Sequence, residues 1–477
     1  MSAALASGDA IAAIATPAGR GGVGVIRISG ANLEGWIERL TGGSAPPRRA
    51  TRARFLDAQG GAIDEGLVLW FPGPASYTGE DVLELQGHGG PVVMRMLLAR
   101  CVALGARIAE PGEFTRRAYL NDKLDLAQAE GVADLIDAAS ETAVRSALRS
   151  LSGEFSRRVQ TLCEQLVLLR TLVEAILDFP EEDIDPLDRA DARARLDGLA
   201  RDLSALLANA REGSVLRSGV SVVIAGAPNV GKSSLLNRLA GEEVAIVTPV
   251  AGTTRDAIRQ TVHIDGVPLH IVDTAGVREA GDEVERIGIA RTWQAVATAD
   301  IALLVVDASR GFLPEDEAIA AALPRRAGLL VVHNKIDIAT AVGVPVLSAT
   351  PTPALTPVDR RDAAAAISTP TPAPDADIGH LGVSALTGAG IAELKMALLS
   401  LAGWHGGSDD LLLARERHLV ALQEAASHLD AARAQAGQVE LMAEELRLAH
   451  AALTRITGAF SADDLLGEIF GRFCIGK

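Results

Sequence analysis

The sequence predicts a multidomain protein, α/β plus all-α, in which an N-terminal α/β domain precedes a helical domain interrupted by an inserted P-loop α/β domain. Three observations carry this prediction. Before residue 120, short β-like runs at Val23–Ile28, Gly66–Phe71 and Val82–Leu85 alternate with glycine turns and helical stretches. From 121 onward apolar residues recur at helical spacing: Leu148, Leu151, Phe155, Val159, Leu162, Leu166, Leu169, Val173 and Ile176. Residues 226–233, Gly-Ala-Pro-Asn-Val-Gly-Lys-Ser, follow the apolar run Val220–Ala225 and lead into an amphipathic stretch, Ser234–Ala240, the strand, loop and helix of a phosphate-binding motif.

The helical pattern resumes at Leu411 and runs to Ile456, after the P-loop region has ended. Insertion into the helical domain is the economical topology, because chains tolerate insertion where exit and re-entry lie close together. The expected boundaries are 1–120, 121–213, 214–406 and 407–477. The apolar seam fits either packing within one subunit or a coiled-coil dimer. Within the inserted domain, 339–379 is rich in Ala, Pro and Thr and reads as a disordered surface insertion.

Composition narrows the class. The chain has 477 residues, a formal charge of −16 and three cysteines, Cys101, Cys163 and Cys474. That charge argues against broad nonspecific attraction to nucleic acid, and so few, scattered cysteines exclude a disulfide framework or a zinc site. No apolar stretch reaches bilayer-spanning length and no basic leader is present, so a cytoplasmic protein without a membrane anchor is expected. Gly19-Arg20-Gly21-Gly22-Val23-Gly24 matches a dinucleotide fingerprint, but the strand-like Val25–Ile28 follows where a helix N-terminus is needed, which excludes a Rossmann site. The acidic group Asp178, Glu181, Glu182, Asp183 and Asp185 reads as a solvated turn around Pro180.

The motifs after the P-loop select guanine. In the loop, the backbone of Asn229, Val230, Gly231 and Ser234 cradles phosphates, Lys232 reaches the β and γ oxygens, and Ser233 offers its hydroxyl to Mg2+. Asp273-Thr274-Ala275-Gly276 follows the apolar run Leu269–Val272, the place for a carboxylate that holds Mg2+ through water and a backbone N–H that senses the γ-phosphate. Asn334-Lys335-Ile336-Asp337 closes the run Leu329–His333. Asp337 can accept two hydrogen bonds from the N1 and N2 edge of guanine, whereas adenine has no matching donor pair. Ser384-Ala385-Leu386, after a strand near Leu381–Val383, completes the base pocket. One part is missing. The position after Gly276, where many GTPases carry a water-orienting glutamine, holds Val277, leaving Glu279, Asp282, Glu283 and Glu285 as candidates to orient water, with Arg255, Arg278 or a bound metal ion to neutralise charge.

Ala251-Gly252-Thr253-Thr254-Arg255-Asp256 and Asp273-Thr274-Ala275-Gly276-Val277-Arg278 together with the P-loop resemble the TrmE-Era-EngA-like GTPases. The segments 15–24, 79–90 and 121–130 and the terminal Phe473-Cys474-Ile475-Gly476-Lys477 narrow the likeness to the MnmE (TrmE) family of tRNA uridine-modification GTPases. The resemblance implies an N-terminal folate-binding domain that also mediates homodimerisation. It implies GTP, Mg2+, K+ and a reduced folate, formyl- or methylene-tetrahydrofolate, as cofactors. It implies tRNA and an FAD-dependent MnmG protein as partners, in a heterotetramer. Together they would add an aminomethyl or carboxymethylaminomethyl group to C5 of the wobble uridine. By motif match Arg27, Glu84, Lys123 and Lys477 surround the folate, although strand alternation alone puts Arg27 on an exposed face. Asn229, Thr248, Val250 and Thr253 would bind K+, Thr254 would join Ser233 on Mg2+, and Glu285 would orient water. Cys474 is either a catalytic thiol or a buried structural one. The alternatives are a regulatory GTPase in ribosome assembly, lacking small-molecule chemistry, and a folate-only aminomethyltransferase. No KH-type appendage or polybasic anchor follows the GTPase motifs to favour the former.

Overall fold

The computed structural model describes residues 9–178, 186–241, 259–273, 297–324, 328–339, 379–406, 410–435, 437–458, 466, 469–471, 473, 474 and 476. Two compact units make up the chain, one of residues 1–136, 148–202 and 421–477, the other of 137–147 and 203–420.

In the first unit, β1 (Ile11–Ile14), β2 (Gly21–Gly30), β3 (Thr51–Leu56), β4 (Ala62–Phe71), β5 (Asp81–Gly89) and β6 (Arg107–Ile108) form a six-stranded sheet in the order β3-β4-β5-β2-β1-β6. All neighbours are antiparallel except β1 and β6. Because side chains alternate along a strand, the two faces of the sheet serve two cores. Ile26, Ile28, Leu83 and Leu85 pack on one face with α1 (Glu34–Thr41) and α2 (Pro91–Ala103). Ile11 and Ala13 pack on the other with Phe114, from α3 (Glu113–Leu120). The run after Gly19–Gly24 is strand, as its β-branched residues require.

Helices α4 (Leu126–Asp137), α5 (Glu141–Leu151), α6 (Glu154–Asp178) and α7 (Pro186–Ser218) follow. The predicted seam is real along α6, where Phe155, Val159, Leu162, Leu166, Leu169 and Val173 are all buried. It does not extend back to Leu148, which is 48% exposed. Gly153, at φ +81, ends the α5 turn in a left-handed conformation and resets the helical phase.

In the second unit, α7 leads to β7 (Val220–Ala225), α8 (Lys232–Ala240), β8 (Arg259–Ile264), β9 (Val267–Asp273), β10 (Ile301–Asp307), α9 (Pro314–Ala322), β11 (Gly328–Asn334), α10 (Ile336–Ala339), β12 (Gly379–Gly382) and α11 (Ile391–Leu401). The sheet order is β12-β11-β10-β7-β9-β8, with β8 alone antiparallel to its neighbour. Chain order reverses at β7, the topological switch point where open α/β sheets bind ligands beyond their carboxyl ends.

The inserted domain leaves and returns at one place. Asn209 on α7 donates to the Asp410 carbonyl at 3.1 Å and accepts from the Leu412 N–H at 3.1 Å. Gly213 lets the two segments touch, since a Cβ there would stand 1.8 Å from the Leu412 carbonyl. Helices α12 (Glu416–Ala434) and α13 (Val439–Thr457) follow. Within the first unit α13 packs along α6, burying Met442, Leu446, Ala449, Leu453 and Ile456, so the α6 seam has its partner within the same chain. No described helix is long and apolar enough to cross a membrane.

Candidate functional site

The guanine-nucleotide motifs converge at the carboxyl end of the parallel strands. Register sets this: Ile224 of β7 pairs with Asp273, Leu304 pairs with Ala225, and Asp307 pairs with Asn334. Each strand therefore delivers its motif to the same edge. Gly226 leaves β7 at φ +147, where a Cβ would stand 2.2 Å from the Val305 carbonyl. Gly231, at φ +98, caps α8 with no side-chain bond of its own, and a Cβ there would meet the Asn334 amide at 2.3 Å. Between them the loop is a cradle with room for backbone only, and α8 presents its N-terminus to whatever anion fills it. Lys232 Nζ donates to the carbonyls of Gly226 and Ala227 at 2.7 and 2.9 Å, so its ammonium already lies over the loop. Asn229, Ser233 and Ser234 are exposed and Val230 is buried.

Asn334 ties the site together. Its amide, 2% exposed, donates to the Val230 carbonyl at 2.8 Å while its oxygen accepts from the Ala385 N–H at 3.0 Å. Lys335 Nζ reaches the Asn229 carbonyl at 2.8 Å and Asp307 at 2.7 Å. Burial opposes the Asp307 charge, yet bonds from Lys335 and from the Ser309 N–H and hydroxyl outweigh it and hold the carboxyl below the usual carboxylate range. Ser384 is fully buried; its hydroxyl accepts from the Thr387 N–H at 3.1 Å, leaving Leu386 81% exposed at the rim. Asp337 is exposed on the first turn of α10. For Asp273 the backbone alone is described, and Thr248, Val250, Thr253, Thr254, Thr274, Ala275, Gly276 and Glu285 lie outside the described residues.

A second candidate site lies in the first unit. Arg27 on β2 stands opposite Glu84 on β5 and bonds it at 3.0 Å. Its Nη1 also donates to the carbonyl of Gly476 at 3.3 Å. Arg27 is not the exposed residue that alternation alone suggests, because α3 covers that face of the sheet; its side chain is 18% exposed. Gly476, buried at φ +100, presses on β1, where a Cβ would stand 2.7 Å from the Ile14 carbonyl. The Gly112 N–H donates to the Cys474 carbonyl at 3.4 Å, anchoring the tail at its other end. Lys123 is exposed and Lys477 lies outside the described residues. Cys474 is exposed, which removes the buried structural thiol as its explanation. The buried thiols are Cys101 and Cys163, pushed up by burial to about 12 and about 11.

Sequence reasoning missed the support of this site. Arg117, 9% exposed, binds Asp9 at 2.8 Å, Glu80 at 2.9 Å and Glu113 at 3.2 Å. Glu80 in turn accepts from Ser29 at 2.8 Å, and Ser29 shares a 2.7 Å hydrogen bond with Thr78. Only the burial of charge reveals this network, and hydropathy carries no sign of it. A cleft of about 380 Å³ lies nearby between the 14–23 turn and α2, with Arg20 and Arg95 in its lining.

A P-loop at a switch point, joined through Asn334 to the Ser384–Ala385 turn, defines a guanine-nucleotide-binding hydrolase. Comparison then gives its family. Residues 126–474 match the MnmE helical domain and residues 10–123 match the GTP-binding protein TrmE N-terminus. The tRNA modification GTPase MnmE of Azoarcus sp. (strain BH72) is 57% identical over 470 residues, 98% of each chain. That of Neisseria meningitidis serogroup B (strain ATCC BAA-335 / MC58) is 58% identical over 468 residues, again 98% of each. That of Laribacter hongkongensis (strain HLHK9) is 56% identical over 474 residues, 98% of this chain and 99% of its own. Among solved structures, a single-residue variant of Aquifex aeolicus Era bound to GDP and AlF4− is 27% identical and covers 45% of this chain and 66% of its own, with a TM-score of 0.25, too weak a likeness to carry structural detail. The chain belongs to the MnmE (TrmE) family of tRNA modification GTPases, and it is a GTP hydrolase acting in tRNA modification.

Proposed function

We propose that this GTPase is potassium-activated and works with an FAD-dependent MnmG partner to add an aminomethyl or carboxymethylaminomethyl group to C5 of the tRNA wobble uridine. A reduced folate, formyl- or methylene-tetrahydrofolate, supplies the one-carbon unit. The observation that carries the folate part is the meeting of Arg27, Glu84 and the tail at Gly476, which puts a cation, a carboxylate and a backbone carbonyl in one half-buried recess. Such a set suits a heterocycle with adjacent donors and acceptors. Lys123 and Lys477 would approach the ligand's anionic end, and the exposed Cys474 belongs to the same tail. The chain works as a homodimer, with the partner forming a heterotetramer and tRNA as substrate.

In the nucleotide site, Lys232, held over the loop by two of its carbonyls, would exchange those bonds for β and γ phosphate oxygens. Ser233 and Thr254 would hold Mg2+, and the glycine cradle fits the phosphates such an ion accompanies. Mg2+ and K+ supply neutralisation of charge developing on the phosphates. Asn229, Thr248, Val250 and Thr253 would hold K+, and Asp273, Thr274, Ala275 and Gly276 would face the γ-phosphate. Glu285 would orient the attacking water in place of the glutamine replaced by Val277. Asp337 would select guanine against the wall made by Ser384, Ala385 and Leu386.

The test is steady-state GTP hydrolysis in KCl and in NaCl at matched ionic strength, with Glu285→Ala alongside. Faster turnover in KCl, and loss of turnover with retained GTP affinity in the variant, is the expected result. Equal rates in both salts, or a fully active variant, overturns the potassium or the Glu285 assignment respectively.

A further inference from the structure

Two aromatic residues beside the guanidinium of Arg27 belong to neither set of motif residues. The centroid of the Tyr77 ring lies 5.6 Å from Arg27 Cζ, and that of Phe114 lies 5.9 Å away, both within the range over which a cation is attracted to a ring face. Tyr77 is itself held. Its hydroxyl shares a 2.8 Å hydrogen bond with Thr115, which is fully buried on α3 next to Phe114. The following residues are pinned as well: Thr78 bonds Ser29 at 2.7 Å, its carbonyl accepts from Asn121 at 2.7 Å, and Glu80 is bound by Arg117 at 2.9 Å. One short helix therefore supplies Phe114 to Arg27, Thr115 to Tyr77 and Arg117 to Glu80. Such over-determination exceeds what an isolated Arg27–Glu84 pair needs for stability, since an ion pair that water still reaches contributes little.

We infer that Tyr77 is a positioning residue for the folate site: its ring, braced by Thr115, fixes the plane and direction of the Arg27 guanidinium so that the arginine meets its ligand without reorganising. The inference rests on the folate reading of that recess. Arginine recognises planar acceptor groups through a rigid fork of N–H donors, and a fork held in one orientation before binding loses less freedom on binding. The ring acts through Arg27 and does not itself touch the ligand.

Equilibrium binding of 5-formyltetrahydrofolate to the full chain tests this, using Tyr77→Phe, Tyr77→Leu, Arg27→Gln and the double variant Arg27→Gln/Tyr77→Leu. Tyr77→Phe keeps the ring and is expected to bind within roughly threefold of wild type. Tyr77→Leu removes the ring and is expected to weaken binding by roughly 5- to 30-fold, the range of a desolvated cation–aromatic contact. In the Arg27→Gln background the same Leu substitution should add less than about twofold, because coupling through Arg27 makes the two losses non-additive. A general loosening of the domain would instead weaken binding in both backgrounds and spare neither Tyr77 variant. If wild type binds and Tyr77→Leu binds equally well, or if its loss is undiminished without Arg27, the positioning role is wrong while the folate reading stands. If wild type does not bind the folate, the reading itself falls and the inference with it.

Discussion

The Asn334 side chain donates to the Val230 carbonyl at 2.8 Å and accepts from the Ala385 N–H at 3.0 Å, so one buried amide holds the P-loop and the Ser384–Ala385 turn in fixed relation. Asn334→Ala removes the side-chain partner of both and leaves a buried carbonyl and N–H to find others. The expected loss is roughly 2–3 kcal/mol of stability in the nucleotide-binding unit, with weaker GDP binding. Denaturant unfolding and a GDP titration measure both, and unchanged affinity would show that the amide does not organise the site.

Gly226 carries the backbone close against β10. A Cβ there would stand 2.2 Å from the Val305 carbonyl, at a φ of +147 that L residues rarely adopt. Gly226→Ala should therefore shift the loop and abolish GTP binding while the first unit keeps its fold. Retained nanomolar-to-micromolar affinity in a nucleotide titration would contradict the cradle geometry.

Asp307 makes stability pH-dependent on the acid side. Its folded pKa lies below the ordinary value of 3.8, so its contribution is present above that value and is lost as pH falls through the lower, folded one. Asp307→Asn should flatten the acid limb of an unfolding profile measured below about pH 4 and leave its neutral limb parallel to wild type. An acid limb as steep as wild type would remove Asp307 from the account.

The cysteines differ in reactivity for a structural reason. Cys101 and Cys163 are buried with thiols pushed up to about 12 and about 11, while Cys474 is exposed. A thiol reagent at about pH 8, below the ordinary thiol range, should modify Cys474 alone in the native chain, as read by peptide mass analysis, and all three once the chain is unfolded. Native labelling at Cys101 or Cys163 would contradict the burial described for them.

Along α6, Phe155 is 1% exposed whereas Leu148 on α5 is 48% exposed, although both belong to the same apolar spacing. Phe155→Ala should cost about 3–5 kcal/mol and Leu148→Ser less than about 1. The pair also shows what the sequence made legible. Spacing alone placed the seam along α6, and it overran only where Gly153 resets the helix, a left-handed turn that hydrophobic periodicity does not register. The P-loop and the guanine motifs were readable because strand ends and loops follow one another in chain order. β12 begins at Gly379 and ends at Gly382, a shift from the expected Leu381–Val383, since the glycines at its ends hide it from β propensity. The recess at Arg27 was legible only through family likeness. Its contact with Gly476 spans 449 positions, and the α3 residues that cover it announce themselves through no periodicity.

The most direct test of the central claim compares turnover of GTP, ATP and XTP by the wild-type chain and by Asp337→Asn. An exposed carboxylate at the start of α10 that selects guanine predicts hydrolysis of GTP far above ATP in wild type, and a switch toward XTP in the variant, whose amide can donate to the oxygen that replaces the guanine amino group. Wild type that turns over ATP as readily as GTP, with Asp337→Asn leaving that ratio unmoved, would contradict it.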